Sequence, residues 1–179
     1  MNKDTDTCPT ENMKFDNAKN TGIVYTKENI KVEKSCGVIV FKDYEDEKGM
    51  KRREYILLKY PEGHWDFPKG HMEEGEDEYQ TACREFTEET GISDITILEG
   101  FRDHVTYEFF AAFENLKGWI RKTVVFFAAE TEANAKTSLS HEHNDFVWLS
   151  EREARKRITY DNARKIFNHA VEFIKLTKK

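Results

Sequence analysis

Between Gly70 and Ile92 the chain reads GHMEEGEDEYQTACREFTEETGI. Glu85, Glu88 and Glu89 stand at i, i+3 and i+4, so a helix over this stretch would project them from one face. Like charges held that close repel one another, and a cation between them would offset the repulsion. Carboxylate oxygens are ligands that Mg²⁺ and Mn²⁺ prefer. The stretch therefore predicts a helix that carries a metal site.

The composition of the chain indicates one acidic globular domain. Its 179 residues are 38% hydrophobic and 13% aromatic, which is enough to bury one core. The formal net charge of −6 argues against a general nucleic-acid scaffold, whose affinity would depend on a basic surface. We therefore expect no stable nucleic-acid partner, and we predict a monomer.

Cysteine usage and hydropathy bear on the cellular setting. Cys8, Cys36 and Cys83 are odd in number and lack CxxC spacing, which fits a reduced setting better than a disulfide framework. The sequence has no apolar run of membrane-span length and no apolar stretch typical of a signal peptide near residue 1. We expect a cytoplasmic protein without a membrane partner.

The chain divides into a polar beginning and a patterned remainder. Residues 1–33 are dominated by Asn, Asp, Lys and Thr, and they predict a flexible or loosely packed N-terminal extension. Residues 34–179 carry the apolar patterning of a folded domain.

Strand patterns lie on both sides of the acidic stretch. Apolar runs rich in β-branched and aromatic residues predict strands over 36–42, 55–59, 95–101, 105–110, 119–129 and 146–149. The charged segment 43–53 predicts a long hairpin loop. Segment 61–69 is rich in turn residues, and Pro68 keeps it from being a helix interior.

The acidic stretch itself predicts a helix from about Glu76 to Thr90. Gly91 is well placed to be the left-handed residue that ends this helix. We expect an apolar stripe on its inner face, formed by Tyr79, Ala82, Cys83 and Phe86.

Two more helices are predicted at the end of the chain. Ser150 and Glu153 have the spacing of a capping box, which opens a helix to about Arg157. A last helix begins near Asp161, and its apolar residues recur at helical spacing, so they indicate core packing. Strands, a helix, more strands and a terminal helix pair indicate a mixed β-sheet with helices on its faces, of class α/β or α+β.

The acidic stretch resembles the signature of the Nudix hydrolases at every fixed position. That signature is a glycine, five residues, a glutamate, seven residues, Arg-Glu, an apolar residue, any residue, Glu-Glu, any residue, a glycine and an apolar residue. The matching positions are Gly70, Glu76, Arg84, Glu85, Phe86, Glu88, Glu89, Gly91 and Ile92. The resemblance implies an α/β/α sandwich around a mixed sheet. It also implies metal-assisted hydrolysis of a nucleoside diphosphate linked to another group.

The flanking segments narrow this resemblance. HWDFPKGHMEEGE (64–76), ILEGFR (97–102), RKTVVFFAAE (121–130) and LSHEHNDFVWL (139–149) are together similar to the asymmetric diadenosine tetraphosphate hydrolases of animals and archaea. The similarity runs from about Ser35 to the C-terminal helix and leaves out the N-terminal extension. It implies a dinucleoside polyphosphate partner, and water attack on phosphorus of diadenosine 5′,5′-tetraphosphate to give ATP and AMP.

The resemblance implies Mg²⁺ as the cofactor, with Mn²⁺ able to substitute. Its implied metal ligands are Glu85, Glu88, Glu89, Glu142 and Gly70. Arg84 would orient a metal-ligating carboxylate, a task that suits the guanidinium fork. Glu76 would stabilise the loop and helix instead of binding metal. The catalytic set implied in this way is Arg84, Glu85, Glu88, Glu89 and Glu142.

The resemblance also implies substrate contacts outside the helix. Lys69, His64 and Lys122 would contact phosphate, because a tetraphosphate needs cations beside it. Tyr107 and Tyr160 would sandwich adenine between their rings. Stacking tolerates different bases, so such rings contribute affinity more than selectivity.

Several alternatives remain open from the sequence. The H-x-H spacing of His141 and His143 suggests zinc, but no third ligand has suitable spacing, so we interpret both as loop or core histidines. Another Nudix substrate would use the same signature: an RNA 5′ triphosphate end, a diphosphoinositol phosphate or a nucleoside triphosphate. A nucleotide sensor without turnover is the remaining class, and the intact acidic set counts against it.

Overall fold

Eight strands and three helices make up the described part of the chain, residues 30–113 and 116–178 of a computed structural model. The strands are β1 (Lys31–Glu45), β2 (Lys51–Lys59), β3 (Trp65–Asp66), β4 (Lys69–His71), β5 (Ile95–Ile97), β6 (Asp103–Phe113), β7 (Leu116–Thr131) and β8 (Asp145–Ser150). The helices are α1 (Glu78–Thr90), α2 (Glu151–Arg157) and α3 (Asp161–Thr177).

We predicted an N-terminal extension over residues 1–33, and residues 1–29 of it lie outside the described part of the chain. The last residues of this extension belong to β1, which begins at Lys31 and pairs with β7 from that residue onward.

All eight strands form one mixed sheet. Its main path is β3-β2-β1-β7-β5, with β4 paired to β1, β6 to β7 and β8 to β2. β1 and β7 run parallel, from the Lys31–Ile120 pair to the Lys42–Thr131 pair. The other pairs are antiparallel. β4 is a short strand that pairs with β1 alone among the described strands, and it leads toward α1.

Each face of the sheet buries its own core. On one face Ala82 and Phe86 of α1 pack on apolar residues that include Val38 and Val125. On the other face α2 and α3 pack on a larger cluster that includes Phe126. Alternate residues of β1 and β7 point to opposite faces, and both faces are covered, so the middle of each strand is buried continuously, over 35–41 and 124–129. The predicted α/β/α sandwich is confirmed.

Local side-chain bonds fix both ends of α1. The Asp77 carboxylate accepts a hydrogen bond from the backbone N–H of Gln80, and the Gln80 side chain accepts one from the backbone N–H of Asp77. At the other end Gly91 adopts φ +71° and its N–H donates to the carbonyl of Thr87. The prediction that Gly91 ends this helix is confirmed.

The predicted elements are found, with corrections at their edges. The predicted 43–53 loop is shorter, because β1 continues to Glu45 and β2 begins at Lys51. Segment 61–69 contains β3 and the start of β4, which are too short to show a periodic pattern. Among the described residues, none of the three helices is long and apolar enough to cross a membrane.

The stripe predicted for α1 is wrong in part. Ala82 and Phe86 are buried, but Tyr79 is 47% exposed and stacks on Phe127 at its edge. Glu89, which is not one of the predicted stripe residues, is 4% exposed. The inner face of the helix therefore ends in a buried carboxylate. Its polar partners are the backbone N–H of Lys69 and the ring of His143.

Replacement of Gly91 by alanine tests the end of α1. We expect Gly91→Ala to lower the free energy of unfolding by about 2 kcal/mol or more, since a positive φ is unfavourable for alanine and the new β carbon would lie 2.9 Å from Cβ of Ser138. Urea titration measures the change.

Gly49→Ala is the matched control, because Gly49 has the same φ of +71° with no atom within 4 Å of the added carbon. We expect it to lose only the backbone share, about 1 kcal/mol. Equal losses in the two variants would contradict the role of the Ser138 contact.

Candidate active site

One cavity of about 470 Å³ lies where α1, β4 and β7 meet the loop before β8. Its lining combines carboxylates, cations, two histidines and one tyrosine, from residues Ser35, Tyr60, Lys69, Gly70, His71, Glu73, Arg84, Glu85, Glu88, Glu89, Lys122, Glu142 and His143. The structure thus brings together all five predicted catalytic residues, together with Gly70, Lys69 and Lys122.

Arg84 joins the acidic residues of this cavity. Its guanidinium donates to Oε1 of Glu76 at 2.6 Å, to Oε1 of Glu85 at 2.8 Å and to Oε2 of Glu88 at 3.3 Å. It also donates to the carbonyl oxygen of His71 at 3.0 Å, which fixes α1 against β4. A guanidinium therefore offsets part of the repulsion for which the sequence suggested only a metal.

Glu76 belongs to this support and not to the cavity wall. Besides Arg84, it accepts from the Thr81 hydroxyl at 2.8 Å and the Glu73 backbone N–H at 3.1 Å. The bonds from Arg84, followed by that from Thr81, lower the pKa of the Glu76 carboxyl to about 2. It is a permanently charged anchor for the arginine.

Glu89 is the most deeply buried carboxylate of the site. Its Oε2 accepts from the Lys69 backbone N–H at 3.0 Å, and its Oε1 lies 3.4 Å from Nε2 of His143. Burial, with smaller contributions from the charges of Glu85 and Glu142, raises its pKa to about 8 although Lys69 opposes the shift. Burial likewise raises the pKa of Glu85. A nearby cation would stabilise the charged form of both carboxylates.

Gly70 gives Glu85 its place against β4. A β carbon at this position would lie 1.9 Å from Cδ of Glu85. Only a residue without a side chain lets the carboxylate approach the strand so closely. This explains the position of the glycine without any reference to its backbone conformation.

Glu142 reaches the cavity from a loop that is tied to the end of α1. The N–H groups of Ser138 and Ser140 donate to the carbonyls of Thr90 and Glu89, at 2.7 and 3.1 Å. These carbonyls lie in the last turn of the helix, where no further turn exists to pair with them. Glu142 follows two residues later and lines the cavity.

The donor set fits a hard divalent cation. Carboxylate oxygens line one cavity, and burial penalises their negative charge when nothing compensates it. Within residues 30–113 and 116–178, no three Asp, Glu, His or Cys side chains already converge as a metal-ligand set. Arg84 contacts oxygens of Glu85 and Glu88 that a bound cation would share.

Tyr60, which is not among the residues predicted for the site, contacts the cation of Lys69 in the cavity. Lys69 Nζ lies 3.9 Å from the centre of the Tyr60 ring and 3.3 Å from Oδ2 of Asp66. His64 stacks on the Tyr60 ring, with 4.6 Å between ring centres, and lies 5.2 Å from the Tyr160 ring. The position of Tyr60 directly after β2 and before the PEGHW turn was the signal that could have found it.

His143 packs edge-on against Tyr60, with 4.5 Å between ring centres, and is 6% exposed. We interpreted both histidines as loop or core residues, and both lie in the loop before β8, where His143 is buried and His141 is exposed. Through its contact with Glu89, His143 also links this loop to the catalytic helix.

Tyr107 and Lys122 are direct partners across β6 and β7. Tyr107 is 38% exposed and Tyr160 is 49% exposed, so both rings remain open to a ligand. Burial, followed by the charges of Asp66 and Tyr160, raises the pKa of Tyr107, which places the two tyrosines in one electrostatic neighbourhood. Burial and the charge of Lys69 lower the pKa of Lys122.

The comparisons with known proteins agree with this architecture. The family profile described as NUDIX domain matches residues 35–170, so the chain belongs to the Nudix family. Asymmetrical bis(5′-nucleosyl)-tetraphosphatases are similar to it along most of their length. The mouse protein is 38% identical over 127 residues, covering 68% of this chain and 81% of its own. The pig protein is 34% identical over 147 residues, covering 79% and 95%.

A solved structure and a second group of relatives complete the comparison. A binary complex of the C. elegans Ap4A hydrolase superposes with a TM-score of 0.66 and 28% identity, covering 80% of this chain and 98% of that one. The RNA pyrophosphohydrolase of Bartonella quintana is 36% identical over 87 residues, covering 45% of this chain and 48% of its own.

Alanine at Gly70 tests the seat of Glu85. We expect Gly70→Ala to weaken Mn²⁺ binding about tenfold or more, because the added carbon must displace the Glu85 carboxylate. Isothermal titration calorimetry with Mn²⁺ measures the affinity. Gly118→Ala is the control, since a β carbon there meets no atom within 4 Å. Equal affinities in Gly70→Ala and the unchanged protein would contradict the assignment.

Proposed function

We propose that this protein is a metal-dependent hydrolase of dinucleoside polyphosphates, with diadenosine 5′,5′-tetraphosphate as the leading substrate and ATP and AMP as products. One observation carries the proposal: a single cavity is lined by the carboxylates of Glu85, Glu89 and Glu142 together with the cations of Lys69 and Lys122. The tetraphosphatases named above, which match over most of their length, support the choice of substrate.

The carboxylates are proposed to hold Mg²⁺, which Mn²⁺ could replace. Glu85, Glu88, Glu89 and Glu142 supply acidic oxygens, and Gly70 completes the set proposed for the metal. When bound, the metal neutralises phosphate charge and lowers the pKa of a bound water. Arg84 positions Glu85 and Glu88 for this task through the bonds that already hold them.

The cations receive the phosphates. Lys69 is fixed by Asp66 and by the face of Tyr60, so its ammonium is held in place before the substrate arrives. Lys122 lines the same cavity from β7. His64 stacks on Tyr60, whose ring lines the cavity, and lies 5.2 Å from the Tyr160 ring, so it would contact an outer phosphate.

Tyr107 and Tyr160 are proposed to bind one adenine between their rings. Each ring is partly exposed, and burial of the free faces against a base would add stacking and apolar contact. Because every base offers an aromatic face, these contacts recognise a nucleoside without selecting strongly for adenine.

A second candidate is an RNA pyrophosphohydrolase acting on a 5′ triphosphate end. The Bartonella quintana relative supports it, but the match spans only 48% of that protein. The tetraphosphatases match over 81% and 95% of theirs. Product analysis separates the candidates: ATP plus AMP from the dinucleotide supports the first, and turnover of triphosphorylated RNA alone supports the second.

We also propose a reducing compartment, such as the cytoplasm. Cys36 and Cys83 are free thiols, and burial raises the pKa of Cys36 to about 11, which keeps it in the unreactive thiol form. The monomer stays a prediction.

The variant Glu89→Gln tests the metal set. We expect kcat for the tetraphosphate in saturating Mg²⁺ to fall by about two orders of magnitude or more, since an amide is a weaker ligand than a carboxylate. The melting temperature should stay equal or rise, because a neutral amide is easier to bury than a carboxylate whose pKa burial has raised. Chromatography of the products measures turnover.

Glu132→Gln, at an exposed position outside the cavity, is the matched control and should keep full turnover. Near-normal turnover of Glu89→Gln would sink the metal assignment. Collapse of its melting temperature would show instead that the charged form of Glu89 is needed to fold.

A further inference from the structure

Ser35 has a buried hydroxyl that makes no hydrogen bond within the described part of the protein. Its side chain is 1% exposed, and among the described residues its Oγ has no hydrogen-bond partner. The residue also lines the cavity of the candidate active site. A buried hydroxyl without a partner destabilises a protein, and alanine would fit a strand without that penalty. The hydroxyl is therefore free to serve a ligand that enters the cavity.

The register of the sheet places Ser35 between two lysines. Directly paired residues of neighbouring strands share a face, and so do residues two apart on one strand. Gly37 of β1 pairs with Lys69 of β4, and Glu33 pairs with Lys122 of β7. Ser35 lies midway between those two levels on the same face. An anion that bridges the lysines would pass over its hydroxyl.

The ring of His71, the strand partner of Ser35, makes long contacts with the residues around it. Ser35 pairs with His71, whose Nε2 lies 3.3 Å from Oε2 of Glu33 and 3.4 Å from Nζ of Lys122. One ring nitrogen cannot donate to the carboxylate and accept from the ammonium at the same time. The contact between Lys122 and His71 is therefore weak, because it is long and competes with Glu33 for the same ring nitrogen. A phosphate oxygen is the stronger acceptor and would draw the ammonium away from the ring.

We propose that Ser35 is a substrate-contacting residue that donates its hydroxyl hydrogen to a non-bridging phosphate oxygen held between Lys69 and Lys122. This role of Ser35 rests on the proposed function. It adds a phosphate contact that comes from β1 and is separate from the carboxylates proposed for the metal. The His71 ring, which also contacts Glu33, holds Lys122 at the cavity that Ser35 lines until the substrate replaces this contact.

The test is Ser35→Ala assayed with diadenosine tetraphosphate in Mg²⁺, together with its melting temperature. We expect kcat/KM to fall about tenfold, mainly through KM, because a hydrogen bond to a charged group is lost. The melting temperature should stay equal or rise, since the variant no longer buries an unpaired hydroxyl. Ser35→Thr, which keeps a hydroxyl, should recover most of the loss.

Thr106→Val is the matched control. It removes a strand hydroxyl on the opposite face, where Thr106 bonds Thr123 outside the cavity, and it should leave kcat/KM unchanged. A kcat/KM of Ser35→Ala within twofold of the unchanged protein would overturn the proposal. A fall in both melting temperature and kcat/KM would also overturn it, since the hydroxyl would then have a partner in the fold.

Turnover by the unchanged protein tests the proposed function on its own. Without turnover of any dinucleoside polyphosphate, the proposed function fails and the assignment of Ser35 falls with it. With turnover, the ratio between variant and unchanged protein decides the Ser35 assignment alone.

Discussion

The mutual repulsion of neighbouring glutamates is the constraint around which this structure is arranged. A helix that carries Glu85, Glu88 and Glu89 on one side needs positive charge close by. Arg84 supplies it from the same helix, and Glu76 holds the arginine in place. The bond from Arg84 to the carbonyl of His71 then attaches β4 to α1. Charge compensation and packing are thus achieved by one side chain.

Much of this arrangement could be predicted from the sequence, because it is local. The spacing of the acidic residues, the capping pattern of α2 and the glycine after α1 are all decided within a few positions. β3 and β4 were missed for the opposite reason: strands of two and three residues are defined by their partners, not by a pattern of their own.

The burial of Glu89 shows what a sequence pattern cannot supply. A glutamate on a helix reads as a surface residue, yet a backbone N–H of β4 and a histidine from a distant loop make its burial tolerable. Tyr60 escaped attention for a similar reason. Its importance lies in the three side chains that contact its ring, Lys69, His64 and His143, and of these only His64, four residues later, is close to it in sequence.

The loop that carries Glu142 has a consequence for how the chain can vary in length. Its bonds to the last carbonyls of α1 re-anchor the chain at Ser138 and Ser140, just before the glutamate. Insertions among the exposed residues 132–134 would loop out into solvent and leave Glu142 where it is. A single residue added between Ser140 and Glu142 would shift the carboxylate out of the cavity. The number of residues is therefore fixed between Ser138 and Glu142, and it can vary among the exposed residues that follow β7.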